Sequence, residues 1–193
     1  SILARDGDEV AGAAREIGGA VVLKPQTLIK ARGKAGLIAF ADTPEEAAQN
    51  SHALFGRIHH DEIVEAILVE EKVEVTGEFY LGIVIDYADS RPVMIASASG
   101  GVDIEEIANG NPDLVLRVSV SPSEGLTDSQ ADQLCRFLVK TFPDPGCGAE
   151  NGLKGVITNF YRAFVNTDCE MAEINPLGIG LGGKVVALDA AMD

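Results

Sequence analysis

Three groups of residues carry types and spacings that could do chemistry. The first is cationic. Lys24 stands at a predicted strand end before Pro25, and residues 30–36 read KARGKAG, which sets Lys30, Arg32 and Lys34 among small residues. Lysine as a point charge, arginine as a fork and a donor-rich glycine backbone suit a loop that closes over the phosphates of a nucleotide. A solvated basic loop would show the same letters, and the sequence holds no P-loop signature. The second group is Glu70-Glu71, at the end of an apolar run. A carboxylate and backbone amides at a cleft could read an adenine edge and a ribose hydroxyl; two exposed acids at a strand end are the plainer alternative. The third is Glu173-Ile174-Asn175-Pro176 together with Asp189. Two apart on a strand, Glu173 and Asn175 share a face. A reversal at Gly182-Gly183 brings Asp189 back beside Asn175. One amide and one or two carboxylates, completed by phosphate oxygens, make the oxygen set that Mg²⁺ prefers.

The charge balance makes the cations informative. Lys plus Arg number 15 against 30 Asp plus Glu, a formal net charge of −15 over 193 residues. Nucleic-acid binding, which depends on basic residues neutralising phosphates, is disfavoured, and 5% aromatic residues with no Trp leave few stacking platforms for single strands. An anionic ligand must be held by a local cationic pocket in an acidic surface. No apolar run approaches the roughly 18–20 residues of a bilayer span, and residues 1–15 lack a secretory pattern, so the reading is a cytoplasmic chain without membrane contact. Cys135, Cys147 and Cys169 are widely spaced, with no CxxC pair, as free thiols in a reducing compartment would be. His59 and His60 are adjacent, point different ways on any regular element and match no zinc spacing; they read as surface residues.

The elements that must position these groups follow from periodicity and punctuation. The sequence predicts a helix over 8–17 closed by Gly18-Gly19, a strand over 20–23 ended by Lys24-Pro25, and a returning strand over 37–41. Thr43 as N-cap, Pro44 at the first helical position and Glu46 at the third start a helix that should reach about Phe55. A strand over 66–69, a hairpin pairing 78–86 with 92–97, a short helix over 103–108, a strand over 114–120, helices over 127–140 and 150–166, and strands over 169–174 and 184–188 complete the reading. Mixed helices and antiparallel hairpins without a βαβ rhythm point to an α+β chain. Two lobes are expected, 1–72 and 73–193, joined near residues 72–77.

Six segments in order resemble the ATP-grasp region of the β subunit of succinyl-CoA synthetase and its relatives. They are VVLKPQ (21–26), ARGKAG (31–36), ILVEE (67–71), EFYLGIVID (78–86), GGVDIEEIA (100–108), and EINPL with LDA (173–177 and 188–190). The resemblance implies an ATP-grasp fold of two α+β lobes with ATP or ADP between them, Mg²⁺, and an α subunit carrying a phosphohistidine and the CoA site. It implies that Lys24 contacts nucleotide phosphates, that Ala31, Arg32 and Gly33 form the loop over them, that Glu70 and Val73 hold the base and hinge, that Glu78 serves the ribose or phosphate side, and that Asn175 and Asp189 bind Mg²⁺. Arg32 and Glu173 are its catalytic candidates, Glu173 facing the incoming phosphohistidine loop. The implied reaction is reversible: acid, CoA and ATP give acyl-CoA, ADP and phosphate. KPQTLIK (24–30) is closer to ATP-citrate lyase, and Ser99 stands where the family often has Glu before Gly-Gly, so citrate or malate remains open beside succinate, as does ATP beside GTP. The family's N-terminal segment and C-terminal CoA-ligase domain have no counterpart in residues 1–193, so this stretch should bind nucleotide without completing the reaction. A free-standing nucleotide-binding module that lost catalysis is the rival from another class.

Overall fold

The structure, a computed structural model, describes residues 1–27, 36–140 and 149–193. The chain divides into two compact units, Ser1–Val73 and Glu74–Asp193.

In the first unit the order is β1 (Ile2–Ala4), α1 (Gly7–Ile17), β2 (Val21–Pro25), β3 (Ala39–Ala41), α2 (Pro44–His52), β4 (Ile58–His59), β5 (Glu62–Ile63) and β6 (Ile67–Glu71). Four of the strands form an antiparallel sheet in the order β1-β6-β2-β3. Alternation decides its faces: Val21, Leu23, Ile67 and Val69 point into one core with Val10, Ala13 and Ala14 of α1 and Ala47 of α2. Both helices start on reciprocal caps. The Asp6 side chain accepts from Glu9 N–H at 2.9 Å while the Glu9 carboxylate accepts from Arg5 N–H at 2.7 Å. Thr43 Oγ accepts from Glu46 N–H at 3.1 Å while Glu46 accepts from Asp42 N–H at 2.8 Å, each cap contributing about 1 kcal/mol. Gly18, at φ 79°, closes α1 with its N–H on the Ala14 carbonyl. Several boundaries differ from the sequence reading, among them the end of β6, which runs to Glu71, and that of the strand carrying Glu173, which continues through Asn175-Pro176 to Gly180; two others in this unit have a plain local cause. β2 runs on through Lys24 to Pro25, because proline as the last residue loses no needed bond and Gln26 N–H resumes the ladder on the Ala66 carbonyl at 2.8 Å. α2 stops at His52, where the Ser51 carbonyl takes both Leu54 and Phe55 N–H in a tight turn. His60 and Asp61, at φ 47° and 70°, make the two-residue turn of the β4–β5 hairpin.

The second unit holds β7 (Val75–Asp86), β8 (Arg91–Ser97), α3 (Ile104–Gly110), β9 (Val115–Ser119), α4 (Asp128–Lys140), α5 (Ala149–Asn166), β10 (Met171–Gly180), β11 (Val185–Ala187) and β12 (Ala190–Met192). The antiparallel sheet runs β11-β10-β7-β8-β9, and β12 also pairs with β10. Phe79, Leu81 and Ile83 of β7 face the main core with Met94 and Ala96, covered by Leu134 and Leu138 of α4 and Leu153, Ile157, Phe160 and Phe164 of α5. The alternate residues of β7, namely Glu78, Tyr80, Gly82 and Val84, therefore lie on the opposite face. There Tyr80, Val93 and Ile95 form a small cluster with Ile104 of α3. No sequence signal announced β12, whose residues are small and alternate weakly. The architecture is α+β, as expected. Cys135 is buried and Cys169 half-buried, both as free thiols; Cys147 lies outside the described residues. Among the described residues no helix is long and apolar enough to cross a membrane.

Candidate functional site

Among the described residues of the first unit, a charged pair lies on the sheet face opposite its core. Val22 pairs with Glu70 and Lys24 with Leu68, so Lys24 and Glu70 are diagonal neighbours on that face. Their side chains form a salt bridge, N to O 2.5 Å, at 13% and 28% exposure. Isolated charges this enclosed would be costly; the pairing is what permits them there. An ammonium held by a carboxylate on an otherwise apolar stretch of sheet is a fixed point charge, of the kind an anionic oxygen could meet. Phe40, opposite Val22 on the same face, is 55% exposed, with the Lys72 ammonium 5.7 Å from its ring centre. Val73 ends this unit just after β6, next to Lys72, whose N–H binds the Ala20 carbonyl at 2.8 Å. Ala31, Arg32 and Gly33, with Lys30 and Lys34, lie outside the described residues.

The second unit gathers the remaining candidates around an irregularity in β10. Glu173 pairs with Gly82 and Ile174 with Leu81, then the register jumps to Leu177 opposite Phe79. Asn175 and Pro176, joined by a cis peptide, thus stand together opposite Tyr80. Asn175 N–H donates to the Asp189 carbonyl at 3.0 Å and Leu188 N–H to the Pro176 carbonyl at 3.0 Å, which brings Asp189 alongside Asn175. The Asn175 carboxamide is tied to the loop after β8: its Oδ1 accepts from Gly101 N–H at 2.7 Å and its Nδ2 donates to the Val102 carbonyl at 3.1 Å. That loop needs its glycines. A Cβ on Gly100 would sit 2.5 Å from the Phe79 carbonyl oxygen, and Gly101 has φ 71° with the Glu78 carboxylate 3.1 Å from where its Cβ would be. Glu78 itself is exposed, and Gly100 N–H donates to its carbonyl at 3.0 Å.

Glu173 is half-buried and stands cross-strand from Gly82, over which the Tyr80 hydroxyl lies. Burial, with the nearby Glu173, Asp103 and Glu105 charges, holds the Tyr80 phenol above its ordinary range, so it stays a protonated donor. The sequence reading missed Tyr80, Gly101 and Val102: a tyrosine in an apolar strand reads as core, and the Asn175 contacts span 73 and 74 residues. Among the described residues no three His, Cys, Asp or Glu side chains converge as a complete metal cage.

Comparison with known proteins names the architecture. Residues 1–179 match the family model described as ATP-grasp domain. The chain is 39% identical over 188 residues to the succinate–CoA ligase (ADP-forming) subunit beta of Herpetosiphon aurantiacus, covering 97% of the chain and 49% of that protein. It is 42% identical over 188 residues to the like-named subunit of Pyrobaculum islandicum, covering 97% and 48%. The chain thus spans about half the length of the curated relatives it matches. Among solved structures it resembles the ATP citrate lyase of Methanothrix soehngenii (TM-score 0.72, 22% identity, 99% of this chain and 43% of that one). It also resembles the dinucleotide forming acetyl-coenzyme A synthetase of Candidatus Korarchaeum cryptofilum (TM-score 0.77, 19% identity, 99% and 83%). At those identities the likeness is one of fold. With a family model matched over 179 residues and a paired-unit α+β architecture, the chain belongs to the ATP-grasp domain family.

Proposed function

We propose that the chain is the nucleotide- and Mg²⁺-binding part of an ADP-forming acyl-CoA synthetase β-type chain, its two units being the two ATP-grasp lobes. The whole protein would catalyse succinate + CoA + ATP = succinyl-CoA + ADP + phosphate, reversibly, with an α subunit that carries the phosphohistidine and the CoA site. The observation that carries this reading is the junction at Asn175, where one side chain fastens the glycine loop and stands beside Asp189. The names of the relatives at about 40% identity support the succinate assignment.

In this reading the Lys24 ammonium, steadied by Glu70, meets the phosphates, and Arg32 covers them with the backbone of Ala31 and Gly33. Glu70 and Val73 face the base; Glu78 faces the ribose or phosphate side. The donors fit Mg²⁺: an amide oxygen that keeps one lone pair beyond its bond to Gly101 N–H, and one carboxylate, leave room for phosphate oxygens and water. Asn175 and Asp189 would hold the ion, which supplies charge neutralisation at the phosphates. The bond between the terminal phosphorus and the bridging oxygen breaks, ADP keeps the electron pair, and a phosphorus–nitrogen bond forms on the partner's histidine, which Glu173 faces. Such a transfer asks the protein mainly for positioning and charge neutralisation.

Calorimetric titration of this chain with ADP, ATP and GDP, with and without Mg²⁺, tests the reading. Magnesium-dependent binding of one nucleotide is expected, weakened about tenfold or more, or at least ~1.4 kcal/mol, in Asp189→Ala. Affinity unchanged in both Asn175→Ala and Asp189→Ala would remove the metal assignment.

A further inference from the structure

Tyr80 lies on the face of β7 that carries Glu78 and Gly82, and it is only 4% exposed. Its ring packs among Val93 and Ile95 of β8, with Ile104 of α3 and Val115 of β9 beside them. The ring does not stand upright over its own position. It lies along the strand over Gly82, so closely that a Cβ there would be 2.5 Å from the hydroxyl oxygen and 2.9 Å from the ring carbons Cε1 and Cζ. Gly82 is the cross-strand partner of Glu173. The missing side chain at 82 thus leaves room for the Tyr80 hydroxyl to lie toward Glu173 on the neighbouring strand. On the other side, Asn175 and Pro176 bulge opposite Tyr80 itself.

We propose that Tyr80 is a positioning residue for Glu173: its hydroxyl, delivered across Gly82, fixes the carboxylate in the orientation from which it meets the histidine of the partner subunit. This rests on the proposed role of Glu173. The tyrosine touches neither nucleotide nor histidine; it acts by removing rotational freedom from a half-buried side chain. A carboxylate in a strand otherwise samples several rotamers, and a reacting group displaced by about an ångström can lose about a hundredfold in rate. A rigid aromatic donor, held by four apolar neighbours, removes that freedom. Gly82 belongs to the same device, because any side chain there would push the ring off its path.

The test uses the full-length β chain assembled with its α subunit, and reads phosphohistidine formation in single turnovers. Tyr80→Phe keeps the ring and removes the hydroxyl. The rate should fall about tenfold at saturating nucleotide, with the nucleotide KM changed less than about twofold and the melting temperature nearly unchanged. Glu173→Gln should also slow the step, and adding Tyr80→Phe to it should cost nothing further, since the hydroxyl then has no carboxylate to orient. Gly82→Ala, which displaces the same hydroxyl from the other side, should reproduce the loss in rate. A wild-type rate in Tyr80→Phe while Glu173→Gln is impaired overturns the positioning role alone. Fully additive losses in the double variant overturn it as well, because Tyr80 would then act by another route. A wild-type rate in Glu173→Gln overturns both this role and the assignment of Glu173.

Discussion

Removing the Asn175 carboxamide separates what that side chain does for the fold from what it does for a ligand. Asn175→Ala deletes two hydrogen bonds, the 2.7 Å bond from Gly101 N–H and the 3.1 Å bond to the Val102 carbonyl. Each is worth about 0.5–1.5 kcal/mol net, and the contacts are partly solvated, so about 1–2 kcal/mol should be lost. For a unit of this size that lowers the melting temperature by about 2–8 °C. Thermal unfolding without nucleotide or Mg²⁺ reads this structural share, and hydrogen exchange at the Gly101 amide reads it locally. Asn175→Asp sharpens the result. An aspartate keeps an acceptor for Gly101 N–H but turns an oxygen toward the Val102 carbonyl, so part of the loss should persist, while the added charge beside Asp189 raises affinity for a divalent cation. An unchanged melting temperature together with unchanged exchange at Gly101 in Asn175→Ala would refute the fastening role.

Three further outcomes follow from the geometry. Glu70→Gln removes the carboxylate that the largely enclosed Lys24 ammonium is paired with and should cost about 1–3 kcal/mol in urea unfolding of the first unit, with equal stability of variant and wild type counting against a structural pair. Gly100→Ala should disrupt the loop after β8, because the new methyl would overlap the Phe79 backbone; a variant with wild-type unfolding and wild-type exchange at Gly101 would show that the loop tolerates the shift. Burial is the main cause holding the Cys135 thiol above its ordinary range, so its thiolate appears only at more alkaline pH than an exposed cysteine's. Iodoacetamide labelling near pH 8, followed by mass spectrometry, should modify Cys169 well before Cys135, and the reverse order would contradict the burial.

What could be read from the sequence was local. The cap at Thr43, Pro44 and Glu46 needs only neighbours on the chain, and the strands of the β7–β8 hairpin announce themselves by composition and a polar turn. Lys24 and Glu70 were visible as candidates but not as a pair, since antiparallel register alone makes them diagonal neighbours. Glu173 and Asn175 were expected to share a face by simple alternation. The bulge at Asn175 and Pro176 interrupts that period, and what directs the Asn175 side chain is its tie to backbone at Gly101 and Val102. Tyr80 was invisible for a related reason: its partner is chosen by the absence of a side chain at Gly82, and one strand's letters do not say which glycine lies under which ring.

The charge distribution bears on why the proposed chemistry would call for cations. Around Tyr80 the second unit presents Glu173, Asp103 and Glu105, with Glu78 beside the glycine loop and Asp189 beside Asn175. A phosphate group approaching this face meets like charge, and at about 4 Å each such pair costs about 1 kcal/mol in water and about 4 kcal/mol at the lower effective dielectric of a protein surface. Carboxylates that would repel a bare nucleotide would attract a divalent ion, so under the proposed function this face should favour a nucleotide that arrives with its metal over one that arrives alone. Lys24 stands on a different sheet, where its carboxylate partner keeps it in place but offsets part of its charge. In the proposed reading neither device would suffice for a triphosphate in a chain of net charge −15: the paired lysine of one unit and the oxygen donors of the other would each neutralise part of the ligand's charge, and that demand would favour the metal complex.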